Sequence, residues 1–511
     1  MNIMNTKIEK LFDLKSIKNF SSKEQEDYIS TIGQEIESGK RVVAHFACDY
    51  NNSKKIFTIL SDDKNCKLKI YSAQMTEDQS SYHYQYPSLT PLYPQMHMFE
   101  REIYEESKIK PIGHPALKPV RSKLNDDHLH IEGDEIHEVA VGPVHAGIIE
   151  PGHFRFQCHG EKVFHLAISL GYQHRGIEQE LINGPHLQNI HQIECVAGDT
   201  TIAHTWCFCE NIENLSTNIT TSTTTSIYGN LIRALMLELE RLANHVGDLG
   251  ALANDVGFLP TSSFCGRIRG DYLNLTAFIC GNRFGRSMLT PYSPYGVNFI
   301  LDNQQIDYII KKINEIYRDT LGATNLLWNN STVLSRFENT GIVDNISCSD
   351  LGIVGVAARA SGVPFDNRKS YQKDHIPHYQ QIKIATTTSC DVWARAYIRK
   401  LEIDESIKLI KLILNDLKEL NLSSNLSSNS SSISSITLKP NHLAISLIEG
   451  WRGEVCHVAI TNESGRLQRY KIIDPSFHNW MALAIALRGE EISDFPLCNK
   501  SFNLSYCGFD L

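Results

Sequence analysis

The chain has 511 residues, enough for two to four domains with a sizeable core. Lysine and arginine total 49 against 58 aspartate and glutamate, a formal charge of −9, and no dense basic run offsets it locally, which argues against a nucleic-acid grip or a polybasic membrane anchor. At 42% hydrophobic and 21% charged residues the composition is that of a globular enzyme or complex subunit, and an odd count of 13 cysteines without a secretory leader points to reduced thiols.

Residues 1–20 form an amphipathic start with no signal-peptide pattern, and no apolar run reaches the roughly 18 residues that would span a bilayer. Residues 1 to 125 read as a small α+β unit with strands near 41–47, 55–60 and 67–71, separated by turn clusters at 49–53 and 61–65. The charged stretch 118–135 reads as a linker, placing a boundary at 126–139. Alternating runs at 138–144 and 153–158 predict a hairpin or small sheet. Beyond 164 helices dominate. Ile232, Leu235, Leu239, Leu242, Val246 and Leu249 recur at three- and four-residue steps and predict one long helix; Ile403, Ile407, Ile410, Leu414 and Leu417 predict another. The Thr-rich stretch 217–225 reads as a loop. The Ser/Asn tract at 422–436 reads as a flexible surface insertion. Strands at 444–450 and 455–461 and a short helix at 480–487 follow.

Walker-type, dinucleotide-type and His-Glu-x-x-His patterns are absent. Eight histidines lie between 145 and 204, but their spacing follows no ligand pattern, so most read as structural or surface residues. None of the cysteines forms a Cys-x-x-Cys pair, the arrangement an iron–sulfur or soft thiolate centre would need. The one close pair, Cys207 and Cys209, would point about 200° apart on a helix and reads as two buried thiols.

Several segments carry a family resemblance: Gly142-Pro-Val-His145, Gly171-Tyr-Gln-His-Arg-Gly-Ile-Glu178, Leu239-Glu-Arg-Leu-Ala-Asn-His-Val-Gly247, Arg359-Ala-Ser-Gly-Val363, Arg452-Gly-Glu454 and Asp494-Phe-Pro496. They resemble the large subunit of membrane-associated group 4 [NiFe] hydrogenases and the homologous 49 kDa subunit of respiratory complex I. Met98-Phe-Glu-Arg-Glu-Ile-Tyr104 with Gly113-His-Pro115 resembles the end of the complex I 30 kDa subunit, fused in front as in hydrogenase-4 and formate hydrogenlyase large subunits. The implied fold class is α+β: a small 30 kDa-like α+β domain at 1–125, then a mainly α-helical hydrogenase-large-subunit-like domain with a small β-sheet at 140–511.

Hydrogenases of this family hold nickel and iron with two Cys-x-x-Cys pairs. Matching on Ala203-His204 puts the first pair at Ala197 and Thr200; matching on Asp494-Phe-Pro496 and Ser501 puts the second at Ser505 and Gly508. The resemblance therefore implies no metal on this chain. Cys195 and Cys507 fall beside those positions, and the tail that some hydrogenases cleave after metal insertion is not expected. The quinone-binding histidine and tyrosine of complex I correspond to Ile149 and Gly198. In their place Glu150, His153, Asp199, Thr200 and His204 form a candidate catalytic set with proton-transfer capacity if buried together. His174 and Arg175 match the segment that lies against the terminal [4Fe-4S] cluster of a partner, where a cation would raise the cluster's potential. Arg241, His245 and Asp248 read as a helix-packing network.

The implied function is that of a peripheral-arm subunit on the cytoplasmic side of the inner membrane, within an NADH-quinone oxidoreductase or hydrogenase-4-like complex and active only there. It would pass electrons from a partner's cluster to a quinone or another small acceptor. Expected partners are a complex I 20 kDa-like iron–sulfur subunit, a ferredoxin-like subunit, and antiporter-like and quinone-module membrane subunits; nucleic acid is not expected. The alternatives are an active hydrogenase with substitute ligands such as Asp199, Ser505 and Cys507, and a non-catalytic scaffold.

Overall fold

A computed structural model describes residues 9–50, 53–78, 83–121, 129–145, 150–218, 223–420 and 435–511. Ile149, part of the 126–139 linker and most of the 422–436 insertion lie outside the described residues.

The helical body is organised around Thr223–Asp255, whose apolar stripe is wholly buried: Ile232, Leu235, Leu239, Leu242, Val246 and Leu249 have no exposed surface. A side chain of that size removed from water contributes about 1.5–3 kcal/mol, so the stripe fixes the helix as the axis of the body. It packs against Leu259–Cys280 and Val392–Leu420, and Asn303–Trp328 covers the latter pair, its start closed by a capping box of Asp302 and Gln305. The axis helix begins at Thr223, so the C-terminal part of the Thr-rich stretch read as a loop is helical. The two long helices extend past the periodic runs that announced them, because packing orders their flanking turns as well.

Beside the bundle stands an antiparallel sheet of His442–Glu449, Glu454–Thr461 and Leu467–Ile473. Helix Thr201–Leu215 lies on it, entirely buried at Cys207 and Cys209. Its fourth strand is Leu11–Asp13 from the opposite end of the chain, registered as Leu11 with Ala444 and Asp13 with His442. The N-terminal unit has its own sheet, ordered Lys18–Phe20, Lys67–Gln74, Ser53–Asp62 and Arg41–Tyr50. The strands expected at 41–47, 55–60 and 67–71 lie within it. A third sheet, Ile136–Val141, His153–His159 and Lys162–Ser169, carries the predicted hairpin.

Several charged groups buried between these layers are paired. Arg41 forks onto Glu454 at 2.7 and 2.8 Å, and Arg121 bridges Glu102 and the Phe509 carbonyl. Arg241 belongs to a core network in which Arg359 meets Glu402 and Glu449, and Arg368 meets Glu238 and Asp366. His245 joins it through Glu402, and Asp248 pairs with Arg399. Such pairs specify one packing more than they stabilise it, since leaving any one partner alone costs several kcal/mol. Among the described residues no helix is long and apolar enough to cross a membrane.

Candidate functional site

Two loops face each other at one edge of the bundle. The first, 195–200, precedes helix Thr201–Leu215; the second, 503–508, leads into the last turn Tyr506–Asp510. Arg175 ties them together: its guanidinium donates to the carbonyls of Cys195 at 2.6 Å, Val196 at 3.0 Å and Cys507 at 3.0 Å. His174 Nδ1 reaches the Asp510 carbonyl at 2.7 Å. Both side chains are exposed, so the clamp also forms part of the surface.

Asp199 and Arg452 make a two-pronged pair at 2.6 and 2.7 Å. Arg452 stacks on the Trp451 ring, 3.9 Å from its centre, and also donates to the Asn503 carbonyl. The Thr200 hydroxyl is the hub of this corner, accepting from Trp451 Nε1 and Arg452 at 3.1 Å each and donating to Asp199 at 3.0 Å. Burial pushes the Asp199 carboxyl up, but the Arg452 guanidinium and Thr200 hydroxyl hold it below its ordinary value. Glu150 Oε2 accepts from the backbone of Tyr506 and Cys507, 3.1 Å each, fastening the second loop from the other side. Burial and Glu150 push the Cys507 thiol up to about 12, so it stays protonated.

His204 takes part in a different arrangement. Fully buried, it lies between Asp474 Oδ2 at 3.1 Å and His457 Nε2 at 3.0 Å, and His457 Nδ1 continues to the Tyr470 hydroxyl at 2.9 Å. The five candidate catalytic residues are thus distributed rather than gathered in one cavity. Asp199 and Thr200 share the Arg452 corner, Glu150 holds the second loop and His204 sits behind it; His153, half-buried, opens the strand His153–His159 opposite Ser169.

Sequence reasoning missed Asp474, His457 and Glu240, and gave Arg452 no role although its segment was recognisable. No spacing links these positions; only the sheet brings His457, Tyr470 and Asp474 to one helix. Glu240 lines a cavity of about 10 Å3 with Asp199, Asn244 and Arg283, room for a single water. One of its oxygens accepts from the Ile202 amide at 2.7 Å while the other is buried without a partner. Burial, with the charge of Asp199, raises its pKa to about 8.

The residues present do not fit a nickel–iron centre. Ala197 and Gly508 carry no donor atom, the Thr200 hydroxyl is spent on Trp451, Arg452 and Asp199, and Ser505 Oγ accepts from the Gly508 amide at 2.9 Å. A side chain at 508 has no room either, since a Cβ there would lie 2.7 Å from both Cγ and Oδ2 of Asp474. Gly198, at the quinone tyrosine's position, is exposed and faces open space, and Cys195 beside it is an exposed thiol.

The family sequence profile for the respiratory-chain NADH dehydrogenase 49 Kd subunit matches residues 255–510, half of the chain. The chain belongs to this family. The profile for the 30 Kd subunit of the same respiratory-chain dehydrogenase matches residues 22–131, so the two are fused in one polypeptide. The chain is 28% identical to a carbon monoxide-induced hydrogenase of Rhodospirillum rubrum over 369 residues, covering 71% of this chain and 96% of that one. It is 24% identical to hydrogenase-4 component G of Escherichia coli over 458 residues, 83% and 75% of the two chains. It is 24% identical to NADH-quinone oxidoreductase subunit 4 of Thermus thermophilus over 388 residues, 70% and 90%. The α+β class, the fusion and the hydrogenase-4-like and complex I-like character read from the motifs all agree with these matches.

Proposed function

We propose that this chain is the peripheral-arm subunit of a membrane-associated, ion-translocating oxidoreductase, passing electrons from a partner's [4Fe-4S] cluster to a quinone or another small acceptor without a redox metal of its own. The observation that carries this reading is the Arg175 clamp, which keeps the two loops of the former metal site joined although all four thiolates are replaced. A site that had lost all function would have no need of that geometry. Exposed His174 and Arg175 then present a polar face to an iron–sulfur subunit. The cavity beside Glu240 is too small for a quinone ring, so an acceptor at this site would be held between the open surface at Gly198 and Cys195 and a partner.

In this reading Asp199, Thr200 and Glu150 hold the loops and supply hydrogen bonds at the acceptor, while Glu240 and His204 lie behind them as proton-exchanging groups. His153 borders the same edge. The 1–125 and 140–511 units correspond to the two fused subunits, joined by the linker at 126–139. The remaining partners are a ferredoxin-like subunit and antiporter-like and quinone-module membrane subunits, on the cytoplasmic side of the inner membrane.

The test is made on the purified complex. Metal analysis is expected to find the iron of the partner's cluster but no nickel, and electrons delivered to the cluster are expected to reduce a short-chain quinone. Stoichiometric nickel with hydrogen-dependent dye reduction would overturn the reading in favour of a hydrogenase with substitute ligands. Unchanged electron transfer in assembled Glu150→Ala and Asp199→Ala complexes would reduce the chain to a scaffold.

A further inference from the structure

The charges of the core network around Arg359 do not balance. Four carboxylates, those of Glu238, Asp366, Glu402 and Glu449, face the three guanidiniums of Arg241, Arg359 and Arg368, and none of the seven residues is more than 2% exposed. The neighbouring groups do not supply the missing cation. Arg399 is matched by Asp248, and Arg41 by Glu454, with Asp63 on its more exposed side. Burial lowers His478 to about 4 and pushes the phenols of Tyr371 and Tyr379 up, so all three are neutral. A carboxylate in so closed a place, with no counter-charge of its own, is neutralised by taking a proton.

The contacts single out the group that takes it. Arg368 donates to Asp366 from Nη2 at 2.7 Å and to Glu238 from Nη1 at 3.1 Å, and Arg241 adds a bond to Glu238 at 3.1 Å. Arg359 turns Nε and Nη2 toward Glu402, 2.8 Å each, which leaves Glu449 one guanidinium bond, from Nη1 at 2.7 Å. The other Glu449 oxygen accepts only from the Asn367 amide, at 3.1 Å. His245 is the rival carrier, but it already meets Glu402 through Nε2 at 2.8 Å, and its Nδ1 is buried with no partner, so a second proton there would have no acceptor. Burial and the Asp366 charge push the Glu449 carboxyl up against the pull of Arg359; despite burial, the arginines hold Glu238, Asp366 and Glu402 below their ordinary values.

We propose that Glu449 is a neutral carboxylic acid whose proton is the fourth positive charge of this network, a one-proton store behind the turn that carries Arg452. Loading it takes one proton from solvent and moves no electron. Arg241 connects the store to the candidate site, since it donates to the carbonyls of Glu449 and Gly450 at 2.6 and 3.0 Å and the next two residues, Trp451 and Arg452, hold Asp199 and Thr200. Negative charge arriving at the acceptor favours keeping the proton, and its departure favours release. That use rests on the proposed function, whereas the existence of the store does not.

The test is infrared spectroscopy of the full chain labelled with 13C-carboxyl glutamate, at about pH 7, where ordinary glutamates are ionised and a protonated one absorbs apart from them. Glu240 also holds a proton below about pH 8, so the parent chain carries Glu240→Gln. A protonated glutamate is expected in that parent, and Glu449→Gln is expected to abolish its signal. Glu402→Gln leaves Glu449 untouched but brings the count to three carboxylates and three guanidiniums, so the same signal is expected to vanish there too. A parent chain with no protonated glutamate overturns the store even if neither core variant folds. A signal that survives in folded Glu449→Gln overturns it by placing the proton elsewhere, and one that survives in folded Glu402→Gln does so by showing that charge balance does not hold it. A complex whose Glu449 is protonated yet which reduces no acceptor would defeat the proposed function and leave the store standing.

Discussion

Asp199 and Arg452 hold the corner between the two loops together through ordinary polar chemistry. Arg452 is nearly closed to solvent and Asp199 about a third exposed, so the pair is worth less than a fully buried one, but its loss strands a guanidinium. Asp199→Asn is expected to destabilise the fold by about 1–3 kcal/mol in denaturant titration, and Arg452→Lys, which loses the fork and the Trp451 stacking, by a similar amount. Glu240 behaves oppositely. Its pKa is raised in the native state to about 8, from about 4.3 when unfolded, so the native state binds the extra proton between those values. Stability therefore falls as pH rises from about 5 to 8, by at most about 1.4 kcal/mol per pH unit from this group. Glu240→Gln is expected to remove that slope, and thermal melting of both proteins across the window measures it; parallel curves would mean that Glu240 is ionised throughout. Neither residue's state was legible in the sequence. Asp199 was visible as a polar residue between two positions matched to ligands, but its partner is 253 residues away along the chain.

At the scale of elements, helices and strands with strong periodicity were legible, because one face of each is apolar at a fixed repeat: the Thr223–Asp255 stripe and the alternating His153–His159 strand are the clearest. The Leu467–Ile473 strand was not, since Arg469 and Lys471 interrupt its apolar pattern and are tolerated only through buried pairing with Glu102, Glu106 and Glu178. The C-terminal loop carries a similar dependence on distant partners. Gly508 reads as a deleted ligand, whereas the structure makes it a requirement of the Asp474 carboxylate. Gly508→Ala is expected to cost about 1–3 kcal/mol by overpacking, and Asp474→Ala to cost stability by releasing His204. Combined, the two should cost less than their sum by about 1 kcal/mol or more, because the second substitution vacates the space the first needs. Strict additivity in a double-mutant cycle would show that the loop relaxes freely away from Asp474.

Across the whole molecule the ends of the sequence meet in one core, so the unit that looks N-terminal in sequence is not independent of the rest. Leu11–Asp13 completes the sheet that begins with His442–Glu449, and Lys10 reaches Glu210 at 2.8 Å, a buried carboxylate that also binds His375 at 2.7 Å and Ser446. Burial pushes Glu210 up, but Lys10 and His375 together hold it far below the ordinary carboxylate range. Removing residues 1–14 takes away the Lys10 cation and uncovers the backbone edge of the 442–449 strand, which becomes a template for pairing with another chain. The truncated protein is expected to lose about 2–4 kcal/mol, the range for stranding a buried charge and losing a short strand, and to associate at concentrations where the full chain does not. Denaturant midpoints of the two chains, with light scattering alongside, measure both effects; an unchanged midpoint and no added scattering would show that the strand and the Lys10–Glu210 pair contribute nothing to the core.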